Sequence, residues 1–218
     1  MRFVSTCAVC AAPVGAEGRV QCGECQTLYC GVVCQGEDVQ HGQACQLIAG
    51  AGGADQFYVN KKYDAAAAEA MEACAEELAK RTCFICKEDE AEGLVRDCAC
   101  RGDAAGIAHL SCLVRLAQHA HDENHHQCAD GNSKWGKCDM CSHLFGGKVA
   151  LALAWACLKT YLPKPSSTCM PCLTKWNLAV VGSLCVVART LISNGRNEEA
   201  LPIGVLYLEE IRKVPDEV

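Results

Sequence analysis

Two small cysteine-rich α+β modules, joined by a helix and followed by an α-helical hairpin, are the fold class this sequence predicts. Three observations predict it: the number of cysteines, their spacing, and a change of pattern after Cys141. Twenty of the 218 residues are cysteine, about 9% by division. The hydrophobic fraction of 50% includes those cysteines, and four Phe, three Trp and five Tyr are the only aromatics. One large conventional core is therefore not expected. The start, MRFVSTCAVCAAPVG, has no uninterrupted apolar stretch of signal-peptide length, so a cytoplasmic or nuclear setting is expected. Thiols stay reduced there, and paired cysteines at short spacing read as metal ligands rather than bridges. Twenty basic against 26 acidic residues give a net charge of -6. That charge repels a phosphate backbone, and no nucleic-acid partner is expected.

Five Cys-x-x-Cys pairs begin at Cys7, Cys22, Cys83, Cys138 and Cys169. Cysteines are dense from Cys7 to Cys45, which delimits a first module over residues 7–45. A linker over 46–82 holds the glycine-rich run Gly50 to Gly53 and an Ala- and Glu-rich segment, Asp64 to Arg81, that reads as a helix. The second dense region spans 83–141, and a helical tail follows over 147–214. The tail carries VALALAWACL from Val149 and LAVVGSLCVVA from Leu178. Each is about half of the roughly 20 residues a bilayer crossing needs, so the two read as helices packed on one another and no membrane partner is expected. The intervening LPKPSSTCMP cannot continue a helix, which makes a hairpin. Asn194-Gly195 then breaks the chain, and Glu198 to Leu201 opens a further helix.

In the first module the candidate ligands are Cys7 and Cys10, Cys22 and Cys25, Cys30 and Cys34, and His41 and Cys45. Structural zinc takes four thiolate or imidazole ligands, so these four pairs supply two closed sites with no position left for a substrate water. A segment this short buries too little apolar surface to offset its chain entropy, whereas a structural Zn²⁺ contributes roughly 10–16 kcal/mol in isolated finger peptides. These residues, above all LYCGVVCQGEDVQHGQAC from Leu28 to Cys45, resemble the MYND zinc finger. The resemblance implies an interleaved arrangement, with Cys7, Cys10, Cys30 and Cys34 on one ion and Cys22, Cys25, His41 and Cys45 on the other. It also implies a surface that accepts short proline-containing peptides, with Gln35 lining the groove.

The second module repeats the logic with Cys83 and Cys86, Cys98 and Cys100, His109 and Cys112, and Cys138 and Cys141. Four zinc ions, two per module, are thus expected. The order of these pairs, in CFICKEDE, CACRGDAAGIAHLSCL and KCDMC, resembles the RING-CH variant of the RING finger. The resemblance implies a cross-brace, with Cys83, Cys86, His109 and Cys112 on one ion and Cys98, Cys100, Cys138 and Cys141 on the other. It implies a ubiquitin ligase that binds a ubiquitin-conjugating enzyme and orients its thioester, with no catalytic side chain of its own. Ile85 stands where the family has an apolar contact to the conjugating enzyme, and Trp135 is the expected second contact, both exposed.

The insert before Cys138 holds His119, His121, His125, His126 and Cys128, the residue types of an additional metal site. With no fixed pairing, the loop reads as solvated. Cys74, Cys157 and Cys185 sit in apolar helical surroundings and read as small core residues. The pair Cys169 and Cys172 has thioredoxin-like spacing without the strand and helix context, and reads as a turn. The tail resembles a degenerate tetratricopeptide repeat through Ala188, Leu191, Gly195 and Ala200. Two functional readings stand: a ubiquitin ligase or ligase-like adaptor that recruits substrates through the MYND-like finger and the tail, and a non-catalytic adaptor that displays protein-binding surfaces.

Overall fold

The computed structural model describes residues 6–15, 18–88, 93–102, 105–123, 135–162 and 173–212, with only the backbone considered in 120–123 and 173–179. The chain forms two compact units, one ending at Lys61 and the other built from Lys62 to Leu162 and the C-terminal helices. The described residues as a whole are mostly helical, and each unit has one small two-stranded sheet.

In the first unit, β1 (Val20–Gln21) pairs antiparallel with β2 (Leu28–Tyr29), Val20 opposite Tyr29 and Gln21 opposite Leu28. Two short helices follow, α1 (Val32–Glu37) and α2 (His41–Gly50), and neither buries a residue fully. Among the described residues its buried apolar side chains are Cys7, Cys25, Leu28, Tyr29 and Val59, with Thr27 and Gln56 buried beside them. A centre this small cannot hold the segment by apolar burial alone, which is the energetic condition under which a bound metal becomes the source of folding energy.

Helix α3 (Ala54–Leu78) begins ten residues before the Ala-rich segment from which a helix was expected, and stops earlier. Gly52 and Gly53, both at positive φ, end α2 and turn the chain, so Ala54 can open a new helix at once. Lys80, at φ 66°, reverses the backbone after Leu78, and Arg81 N–H closes the turn on the Leu78 carbonyl.

In the second unit, β3 (Leu94–Val95) pairs antiparallel with β4 (Ala108–His109), which runs directly into α4 (Leu110–Glu123). Leu78, Cys83, Leu94, Ile107, Ala108 and Cys112 pack into one cluster beneath them. The tail adds α5 (Gly147–Tyr161), α6 (Leu173–Ser193) and α7 (Asn197–Ile211), with α6 packed on both α5 and α7 and α5 also touching α4. Every residue from Leu151 to Leu158 is buried. A helix apolar all round must lie inside, and α5 does. The tail thus has a buried helical layer of its own, because Leu and Ala are concentrated in one segment rather than spread over the chain. Gly195, at φ 74°, supplies the left-handed turn between α6 and α7, and Arg196 N–H returns to the Leu191 carbonyl.

The tail is fastened to the rest of this unit by specific contacts. Gln118 donates to Thr160 Oγ1 at 3.0 Å, and the Gly146 amide donates to Asp97 Oδ2. Glu199 accepts from Lys62 at 2.7 Å and from Arg196 at 2.6 Å, while Arg196 also reaches Glu69 at 3.2 Å. Among the described residues no helix is long and apolar enough to cross a membrane.

Candidate metal centres

One local device is built four times. In each of the segments starting at Cys7, Cys22, Cys83 and Cys138, the residue after the second cysteine returns its amide to the first cysteine's carbonyl. These are Ala11 to Cys7 at 3.0 Å, Gln26 to Cys22 at 3.0 Å, Lys87 to Cys83 at 3.0 Å and Ser142 to Cys138 at 2.8 Å. The first cysteine's own amide then bonds the carbonyl of the next residue along: Ala12, Thr27, Glu88 and His143, at 2.8–2.9 Å. Ala11, Gln26, Lys87 and Ser142 all lie at φ between 57° and 66°. Holding a non-glycine residue there costs about 1–2 kcal/mol, so a repeated left-handed position signals a shape imposed from outside the local backbone. The shape turns both sulfurs to one side, as a shared metal ion requires.

The remaining donors come from other elements and complete four quartets. Cys30 and Cys34, either side of the start of α1, join Cys7 and Cys10; His41 and Cys45, one turn apart on α2, join Cys22 and Cys25. His109 ends β4 and Cys112 lies in the first turn of α4, and these join Cys83 and Cys86. Cys98 and Cys100 join Cys138 and Cys141. Within each quartet all ligand atoms lie within 4.8 Å of one another. Sulfurs 2.3 Å from a tetrahedral zinc stand about 3.8 Å apart. Here Cys10 and Cys30 are separated by 3.7 Å, Cys22 and Cys45 by 3.7 Å, and Cys100 and Cys138 by 3.7 Å. Disulfide sulfurs would be near 2 Å, and no cysteine among the described residues is in a disulfide. The donor sets fit several zinc ions, two all-thiolate and two with three thiolates and one imidazole.

The protons tell the same story. Amides of Cys10 and Cys30 draw the Cys7 thiol down to about 6, whereas the Cys30 thiol, then burial, push Cys34 up to about 12. The Cys25 amide brings Cys22 to about 6 against burial, with help from His41, while burial and then Cys22 itself raise Cys45 to about 12. At Cys83 burial opposes ionisation, yet the amides of Cys86, His109 and Ile85 outweigh it and bring the thiol to about 6. Cys141 is lowered to about 7 by the His143 amide, and burial raises Cys98 and Cys100. Each quartet thus holds one thiol that is lowered and at least one other that is raised, Cys86 being the raised thiol beside Cys83, the pattern of negative charges crowded together. A divalent ion removes that penalty and takes the thiols as thiolates.

The two histidines present different nitrogens. His41 Nε2 stands 3.2 Å from Cys22 Sγ and 3.7 Å from Cys25 Sγ, leaving Nδ1 toward Asp38 Oδ2 at 3.8 Å. Asp38 in turn accepts from the Tyr29 hydroxyl at 2.8 Å, and burial with this bond raises the Tyr29 phenol far above its usual range. A carboxylate behind a ligating imidazole fixes the ring and its tautomer. His109 instead offers Nδ1, 3.3 Å from Cys86 Sγ and 3.8 Å from Cys112 Sγ. Thr27 Oγ1 lies 3.0 Å from Cys25 Sγ, and Arg115 donates to Cys112 Sγ at 3.4 Å. Asp38, Tyr29, Thr27 and Arg115 were missed by sequence reasoning, since nothing in their spacing marks them. Gly106 was missed too: at φ 75° it packs so closely on Cys98 Sγ that a methyl group would overlap the sulfur and meet Cys100 Cβ at 3.0 Å.

The expected partner contacts fare unevenly. Gln35 is exposed on α1, flanked by exposed Val32 and Val33. Ile85 is half-buried, its inner side against the cluster around Leu78 and Leu94. Trp135 corrects the expectation of an exposed contact: it is only 3% exposed and meets Tyr161 of α5 edge to face at 6.2 Å. Its indole serves the join between finger and tail, where it removes a large apolar ring from water. Met140 is exposed instead, one residue before Cys141, as Ile85 is one before Cys86. Cys185 is also corrected. Val180, Leu184, Val187 and Leu191 form the buried stripe of α6, and Cys185, about 100° round the helix from Leu184, faces outward. Cys157 is buried beside Ser183 Oγ at 3.1 Å, and Cys74 is half-buried. His119 is exposed; the side chains of His121, His125, His126 and Cys128, like Cys169 and Cys172, lie outside the described residues.

Comparison with protein-family models, with curated proteins and with solved structures returns no match to this chain.

Proposed function

We propose that the chain is a zinc-scaffolded ubiquitin-ligase component whose second module, resembling a RING-CH finger, orients a ubiquitin-conjugating enzyme. The observation that carries this reading is the interleaving of donor pairs from Cys83 to Cys141: first with third, second with fourth. That order matches what a RING-like cross-brace would require, and closed sites of this kind build a rigid surface rather than a reaction centre. Ile85 and Met140 occupy equivalent positions in the module's two cysteine turns and supply apolar contacts for the conjugating enzyme. Orientation of a thioester contributes several kcal/mol without any nucleophile on the ligase. The first module, resembling a MYND finger, presents Gln35 with Val32 and Val33 to a proline-containing peptide of the substrate, and the repeat-like tail adds a second recruiting surface.

Autoubiquitination with a panel of conjugating enzymes tests this. The zinc-loaded chain is expected to accelerate discharge of ubiquitin from at least one of them, and Ile85→Ala to lower that rate about tenfold at unchanged zinc content. No discharge with any conjugating enzyme would retire the ligase reading.

Two observations favour the second reading, a non-catalytic adaptor. Trp135 is withdrawn into the interior, and Ser142 follows the last ligand where active RING fingers often carry a basic residue that clamps ubiquitin. Under that reading the same surfaces bind proteins and ubiquitin transfer is absent.

A further inference from the structure

Helix α7 has two faces. Ala200, Ile203, Leu206 and Glu210 turn inward. On the opposite side Leu201, Val205 and Leu208 are 71%, 48% and 50% exposed, spaced four and three residues apart. That spacing is the a/d seam of a two-helix coiled coil. The seam is closed at its ends by charge: Glu198 three residues before Leu201, and Arg212 four residues after Leu208. Both are exposed, and neither has an ion-pair partner among the described residues. Gly204, beside Val205, leaves open space where a side chain would stand.

Glu198 and Arg212 each lie seven residues from Val205. A two-fold axis through Val205, with two copies of α7 antiparallel, therefore sets Glu198 of each copy against Arg212 of the other. The same axis brings Leu201 of each copy to within one residue of register with Leu208 of the other. A seam with Glu198 at one end, apolar residues in the middle and the C-cap Arg212 at the other, exposed Glu209 lying at its flank, complements itself under such an axis, which is what an isologous interface requires. We propose that α7 is a homodimer interface, its occupant the α7 of a second copy of this chain. One exposed helix face is small against the about 800 Å² per partner of a standard interface, so the dimer is weak, with a Kd on the order of 10 µM. Dimerisation leaves the zinc quartets untouched and doubles their number in one particle, so that two weak finger contacts can act together.

Sedimentation equilibrium of the full zinc-loaded chain between about 1 and 200 µM tests this. A reversible monomer–dimer transition is expected. Val205→Glu, exposed and so tolerated by the fold, is expected to remain monomeric with an unchanged helical circular dichroism spectrum. Glu198→Arg and Arg212→Glu singly are each expected to weaken association about tenfold, and the double variant Glu198→Arg/Arg212→Glu to restore it. A monomer throughout the range overturns the proposal. So does a dimer that survives Val205→Glu, or a double exchange that fails to recover association, since each places the contact elsewhere.

Discussion

Gly106 shows how a single residue conditions a metal centre. It lies outside every ligand pair, yet its missing side chain makes room for Cys98 Sγ, and its backbone is left-handed. Gly106→Ala carries two penalties, an overlap with the ligand and a strained φ, together about 2–4 kcal/mol. It is expected to lose the ion held by Cys98, Cys100, Cys138 and Cys141 and keep the other three, read by metal content and by native mass. Retention of all four would show that the loop yields instead. The left-handed residues Ala11, Gln26, Lys87 and Ser142 show the limit of reading side chains in isolation. None is a glycine or an asparagine, so no propensity marks them. Their conformation follows from the two cysteines just before them, and only repetition of the same pair of amide bonds reveals it.

At the scale of elements, the quartets depend on pairs that are distant in sequence. Spacing alone shows that pairs exist; which pair joins which is a matter of how β1, β2, α1 and α2 return past one another. Cys30→Ala separates the two possibilities in the first module. With interleaved pairing, the cadmium-substituted protein is expected to lose a ¹¹³Cd resonance of the all-thiolate type, because Cys30 stands with Cys7, Cys10 and Cys34. Loss of a resonance from a site with one imidazole would mean that Cys30 shares its ion with His41. Boundaries were less legible than ligands. The start of α3 at Ala54 rests on the turn at Gly52 and Gly53, and α6 starts at Leu173, several residues before its apolar run. Helical periodicity marks the face that is buried, not the turns of helix beyond it. Trp135 and Cys185 were misplaced for a related reason: burial depends on which neighbour arrives, and α5 arrives over Trp135.

For the whole molecule, two sources of stability divide the labour. The first unit has a core of a few residues and two candidate metal centres; the second has two centres and a helical layer around α5. That layer is tied to α3 through Glu199, whose carboxyl is held down to about 2, from an ordinary 4.5, first by Arg196 and then by Lys62. The folded value lies below the unfolded one, so the stabilisation is complete above about pH 4.5 and is lost as pH falls toward 2. Because the group is partly exposed, solvent screens much of it. Glu199→Gln is expected to lower Tm by about 2–4 °C, a gap that stays flat between pH 6 and 8 and narrows only below about 4.5. A gap that widened on acidification would place the charge interaction elsewhere. Zinc, by contrast, should decide whether the first unit folds at all, since its ligands must give up their protons to hold the ion. The central claim is that sixteen sulfur and imidazole donors hold four ions. Native mass spectrometry of the reduced, purified chain tests it most directly. Four zinc ions per chain are predicted, with a chelator removing them and collapsing the amide dispersion of the first unit. A chain that carries two or fewer and keeps its dispersion would contradict the account.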